Sequence, residues 1–101
     1  MEQFISALTL SKRAGKLLLG FDVVKEAVQN RTAKLIVLAN DLSPKTKKEV
    51  RFLLESQPVP VLEPPLKMDE IWYLLGKKAG VIAITDDGFA KKLLSLAKQF
   101  D

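Results

Sequence analysis

The sequence predicts an α/β sandwich, with a largely parallel central sheet carrying helices on both faces. Three observations predict it. Two strand-length segments, Ala33–Ala39 and Val81–Thr85, built on the apolar runs Leu35–Ala39 and Val81–Ile84, read as strands covered on both faces, the habit of parallel sheets. Segments with apolar residues at helical spacing alternate with the strand-like ones. Glycine and proline punctuate these segments, and no linker, repeat or low-complexity stretch divides the 101 residues, so one domain spans 1–101. Such alternation marks a sandwich, and right-handed crossovers put helices on both faces.

The elements follow in order. Phe4, Ile5 and Leu8 give a first helix over residues 2–14, stopped by Gly15. Leu17–Leu19 is a short extended piece ended by Gly20. Asp22 is placed to cap a second helix, with Val24, Ala27 and Val28 on its inner face. After the strand at Ala33–Ala39, Ser43-Pro44 is an N-cap followed by proline at the first helical position. This third helix is expected to reach Ser56, with Val50, Leu53 and Leu54 inward. Val59–Glu63 is strand-like, but Pro60 confines it to a sheet edge. Met68, Ile71, Leu74 and Leu75 make a short fourth helix ended by Gly76. The strand Val81–Thr85 leads to a last helix capped by Asp86 or Asp87, with Phe89, Leu93, Leu96, Ala97 and Phe100 inward.

Composition removes most chemistry. There is no cysteine and no histidine. Disulfides, thiolate nucleophiles, His bases and the usual transition-metal ligands are therefore excluded. The longest apolar runs fall far short of the roughly 18–20 residues a membrane span needs. The start, Met1-Glu2-Gln3, has no basic run of a signal peptide, so the expected location is cytoplasmic. The net charge is +4, unevenly spread. Residues 12–51 hold ten basic and four acidic side chains, whereas residues 52–76 hold one basic and four acidic. A basic half beside an acidic strip suggests an electropositive face for a polyanion.

Four groups of residues could carry function. In the first, Lys12, Arg13 and Lys16 lead through Gly15 and Gly20 into a helix start, where free amides and the helix dipole attract phosphate. It is not a Walker loop, because Leu17 follows Gly15-Lys16. The plainer reading is a helix stop at Gly15 and a turn at Gly20. In the second, Asp41, Asp86 and Asp87 follow the buried strands. Carboxylates at one sheet edge could hold magnesium for phosphoryl transfer, although helix capping explains each one. The third is Trp72-Tyr73, of which one ring is expected on the sheet and the other on the surface. The fourth is the basic loop Lys77-Lys78-Ala79-Gly80.

Three ordered blocks together resemble the ribosomal protein seven-Ae superfamily, nearest to its small bacterial branch. They are Ala14-Gly15-Lys16-Leu17 with Gly20, Ala33–Pro44, and Leu75-Gly76-Lys77 with Gly80–Ala90. The resemblance runs from about Phe4 to Leu94. It implies an α/β/α sandwich with a mixed, mostly parallel, four-stranded sheet, no catalysis and no cofactor. It also implies binding of kink-turn RNA through a glycine turn and the helix after it, with the pattern Lys-Lys-Gly-Thr-Asn-Glu-x-x-Lys. Gly20 matches the glycine, and Leu18 and Leu19 stand where the lysines are. Phe21, Asp22 and Val23 replace Thr, Asn and Glu; Glu26 takes the last lysine's place, with Lys25 one residue earlier. The family's second contact loop corresponds to Lys77–Gly80.

The sequence thus reads as a non-catalytic RNA-binding domain acting on structured, kink-turn-like or ribosomal RNA. Lys12, Arg13, Lys16 and Lys25 are the expected phosphate contacts. Gly20 and Phe21 form a close-approach turn, Asp22 sits at the helix start, and Lys77 and Lys78 flank the site. The expected chain is a monomer without a small-molecule substrate, metal, cofactor or membrane partner. Two other readings stay open: a protein-interaction module that lost the RNA site, and a magnesium-dependent phosphoryl-transfer domain using Asp41 and Asp86.

Overall fold

A computed structural model describes residues 1–100. It contains helices α1 (Glu2–Arg13), α2 (Phe21–Gln29), α3 (Pro44–Leu53), α4 (Met68–Leu75) and α5 (Asp87–Ala97), the last continued by a 3-10 turn, Lys98–Phe100. The strands are β1 (Leu17–Leu19), β2 (Leu35–Leu38), β3 (Val61–Leu62) and β4 (Val81–Ile84), ordered β1-β4-β2-β3 in one sheet.

The apolar runs became the central strands because each has a covered face on both sides. Leu35, Val37, Ile82 and Ile84 pack with Phe4, Leu8, Ile71, Leu75 and Leu93, from α1, α4 and α5. Their neighbours Ile36, Leu38, Val81 and Ala83 pack with Val24, Val28 and Val50, from α2 and α3. Alternate residues of a strand face opposite ways, so two apolar clusters flank the sheet. The ring of Phe100 meets Phe4 edge-on at 5.1 Å, which ties the chain's last turn to its first helix.

The sheet is mixed, but it is not mostly parallel as the sequence suggested. β1, β2 and β3 share a direction, and β4 runs against them. Because β4 lies between β1 and β2, two of the three ladders are antiparallel: Leu17 pairs with Ile84, and Leu38 with Val81. Only β2 and β3 pair in parallel, Ile36 opposite Val61. Pro60 lies just before β3 at the edge, and its carbonyl accepts from the Ile36 amide at 2.9 Å.

Helix ends follow local chemistry. α1 and α2 finish in the same two-bond motif. The Gly15 amide donates to the Lys12 carbonyl and the Lys16 amide to that of Ser11, at 3.0 and 2.8 Å. In α2, Arg31 and Thr32 do the same toward Val28 and Ala27, at 3.1 and 2.9 Å. Gly15 has φ 72°, whereas Arg31 holds φ 61° without being glycine. α3 starts at its predicted cap, Ser43, which accepts from the Thr46 amide at 3.2 Å. It stops at Leu53, short of Ser56; Pro58 disfavours helix at the residue before it.

Candidate nucleic-acid interface

The start of β4 gathers three loops. The Gly20 amide donates to the Val81 carbonyl and the Ala39 amide to the Gly80 carbonyl, both at 2.9 Å. The Gly20 turn, the Lys77–Gly80 loop and the segment after β2 therefore meet at one end of the sheet. The Lys77 ammonium donates to the Leu19 carbonyl at 3.3 Å, across 58 positions of sequence. The two loops expected to share a site do lie side by side.

Gly20 is required there by its backbone. Its φ of 114° and ψ of 148° are essentially closed to other residues. Gly20, not Asp22, is the N-cap of α2, and no side chain caps that helix start. The sequence reading of Asp22 as the cap is thus corrected. The tight approach of β1 to β4 turns the chain two residues earlier than the carboxylate alone would suggest. The first amides of α2 stay open to an anion, although Asp22 sits in the first turn beside them. Asp22, Val23 and Glu26 all face solvent, Val23 with 41% of its surface exposed. Three of the four α2 positions that depart from the pattern the resemblance implies, all but Phe21, therefore lie on the outer face of α2.

The basic residues do not all converge. Lys16 precedes β1, and its carbonyl accepts from the Thr85 amide at 2.9 Å, beyond the far end of β4. Its backbone is thus at the opposite end of the sheet from Gly20. Lys12 and Arg13 line a depression with Thr9, Leu74 and Leu75, which includes neither Gly20 nor Lys77. Lys78 turns to α4, with its ammonium 5.8 Å from the Trp72 ring centre and 3.8 Å from Asp69. Only Lys77 reaches the turn itself.

α4 also corrects the expectation for its aromatic pair. Trp72 is 52% exposed and Tyr73 90%, so neither ring packs on the sheet. Ile71 and Leu75 occupy the inward stripe instead.

Phe21 and Lys25 point elsewhere. They line a groove of about 810 Å³ between α2 and α3, opposite Lys45, Lys48, Glu49 and Phe52. Phe52 is 73% exposed. The sequence reading missed the α3 half of this groove. The signal was there: Lys45, Lys48, Glu49 and Phe52 recur at spacings of three and four, a stripe distinct from the inward Val50.

The carboxylates are occupied by amides. Asp86 accepts from Phe89 N–H and caps α5; Asp41 accepts from Met68 N–H and caps α4 from across the loop, both at 2.9 Å. Because β2 and β4 are antiparallel, Asp41 lies beyond one end of the sheet and Asp86 beyond the other. A strand of this length is about 10 Å long, so the two carboxylates cannot share one magnesium ion. Among the described residues no group of three or more His, Cys, Asp or Glu side chains could hold a metal ion. No helix among them is long and apolar enough to cross a membrane.

Residues 2–94 match the model of the Ribosomal protein L7Ae/L30e/S12e/Gadd45 family. Two relatives, each described as RNA-binding protein YlxQ, are 36% identical to the chain. One, from Enterococcus faecium, aligns over 95 residues, 94% of this chain and 91% of its own. The other, from Bacillus subtilis, aligns over 99 residues, 93% of this chain and 94% of its own. A solved structure of a protein of unknown function from Bacillus halodurans superposes with a TM-score of 0.87 at 33% identity. It covers 95% of this chain and 97% of that one.

Proposed function

Because the chain belongs to the Ribosomal protein L7Ae/L30e/S12e/Gadd45 family, we propose that it is a non-catalytic RNA-binding protein whose interface is the Gly20–Lys77 end of the sheet. Its ligand on this reading is structured, kink-turn-like RNA, ribosomal RNA included, bound by a monomer in the cytoplasm. The observation that carries the reading is the Lys77–Leu19 bond at 3.3 Å, which joins two distant loops into one surface. The open helix start after Gly20 and the names of the two YlxQ relatives support it.

Each residue has a role in this reading. Gly20 allows the RNA backbone close approach, and the α2 amides and Lys77 receive phosphate. Lys25, on the groove side of α2, carries the contact along that helix, and Lys78 adjoins Lys77 in the loop. Lys12, Arg13 and Lys16 are outlying cations that meet RNA only if it passes the edge of the sheet. Asp22, Val23 and Glu26 offer few base-specific hydrogen bonds, so affinity comes mainly from phosphates.

The test is binding of a kink-turn RNA and a plain duplex at several salt concentrations. With about three phosphates neutralised by Lys25, Lys77 and Lys78, log K falls against log salt with a slope of roughly −2 to −2.7. Preference for the kink-turn stays under about 2 kcal/mol, within the range of one good bidentate base contact. Tight, salt-insensitive, kink-turn-selective binding would overturn the phosphate-dominated mechanism. Failure to bind either RNA at low salt would favour a protein-interaction module, for which the exposed Tyr73 and Trp72 are the supporting observation.

A further inference from the structure

The groove between α2 and α3 has a composition that the Gly20–Lys77 surface does not explain. Lys25, Lys45 and Lys48 line it against a single acid, Glu49. Among the described residues none of these three lysines makes an ion pair; the neighbouring Lys47 does, with Glu63 at 2.8 Å. Phe21, Val28, Leu53 and Phe52 give the lining its apolar part, and Phe52 is largely uncovered, outside both apolar clusters. Its position is continuous with the turn. α2 begins at Gly20, and α3 begins just after the β2 segment that bonds to Gly80. Both helices therefore start at the same end of the sheet and carry the groove away from it.

Lysines beside an exposed aromatic ring are the chemistry of unpaired nucleic acid. Lysines follow the phosphates, and a base offers its flat face to the ring. A duplex hides its bases and would leave Phe52 unused. We propose that this groove holds an unpaired stretch of the RNA whose structured part sits on the Gly20 turn. Its phosphates lie on Lys25, Lys45 and Lys48, and a base stacks on Phe52. The inference rests on the RNA-binding reading above.

The experiment compares three RNAs: a blunt kink-turn hairpin, the same hairpin with a short single-stranded extension at either terminus, and the same hairpin with that extension paired. The unpaired extension tightens binding roughly tenfold, and Phe52→Ala abolishes that gain. Lys45→Gln with Lys48→Gln makes the salt slope for the extended RNA shallower by about 1.4, at ~0.7 per single-strand phosphate. The slope for the blunt hairpin does not change. All three side chains are on the surface, and melting curves of the variants verify the fold. If the blunt hairpin binds and the unpaired extension adds nothing, the groove proposal falls while the parent reading stands. An equal gain from the paired extension also overturns it. A glutamate-rich peptide that needs Phe52 and outcompetes the extended RNA would assign the groove to a protein partner. If no RNA binds at low salt, the parent reading falls and this one with it.

Discussion

Replacing Gly20 with alanine separates two ways in which a glycine can matter. The first is conformational. At φ 114° and ψ 148° an L-residue is strained by about 1–3 kcal/mol. The second is crowding by a neighbour. A Cβ built on Gly20 would lie 3.4 Å from the Lys77 Nζ and 4.0 Å from a Val23 methyl group. Those are ordinary contacts, and Nζ ends a flexible side chain. Strain therefore decides the cost, which is about 2 kcal/mol. For a domain this size that lowers Tm by roughly 8–16 °C. The assay is thermal and urea unfolding of Gly20→Ala, Lys77→Ala and the double variant. If strain is the cause, the two changes add to within about 0.5 kcal/mol. Recovery of more than about 1 kcal/mol in the double variant would show crowding by Lys77 and refute the argument, since coupling of that size marks groups in direct conflict. A Gly20→Ala protein as stable as the parent would refute it outright.

Other expectations can be checked by the same methods. Arg31→Gly should stabilise the chain by about 1 kcal/mol in urea unfolding, because it removes a left-handed L-residue from the end of α2. Asp41→Ala and Asp86→Ala should each cost about 1 kcal/mol through loss of a helix cap. Lying at opposite ends of the sheet, their effects should add to within about 0.5 kcal/mol, and a larger coupling would contradict the antiparallel placement of β4. Lys25→Ala with Lys77→Ala should make the RNA salt slope shallower by about 1.8, at ~0.9 per phosphate. Lys16→Ala should leave that slope nearly unchanged; a drop as large as that for Lys25→Ala alone would place RNA at both ends of the sheet.

The elements were readable in the sequence because their signals are local. Ser43-Pro44, Gly76 and Asp86 mark helix ends by their own geometry, and the two apolar runs needed no partner to look like strands. Strand order is different. A strand, a helix and a strand usually make a parallel crossover, and nothing in residues 63–80 states that β4 will turn back and insert between β1 and β2. That one reversal sent Asp41 and Asp86 to opposite ends of the sheet. The basic bias of residues 12–51 was plain as a sum. Its division among the turn, the groove and the outer edge depends on which way each helix faces. Lys45 and Lys48 were counted as charge and not recognised as one wall of a groove for that reason.

The place of β4 also sets a schedule. β1 has no ladder partner in the sheet except β4, and about sixty residues separate Leu19 from Val81. Chains leave the ribosome N-terminus first at about 5–20 residues per second, so β1 waits roughly 3–12 s for its partner. During that wait α1 has made Phe4 and Leu8, yet Ile82, Ile84 and Leu93, which will cover them, do not exist. The nascent chain carries an apolar helix that Leu35, Val37, Ile71 and Leu75 cover only in part until β4 and α5 arrive. The sheet closes only once β4 has been made.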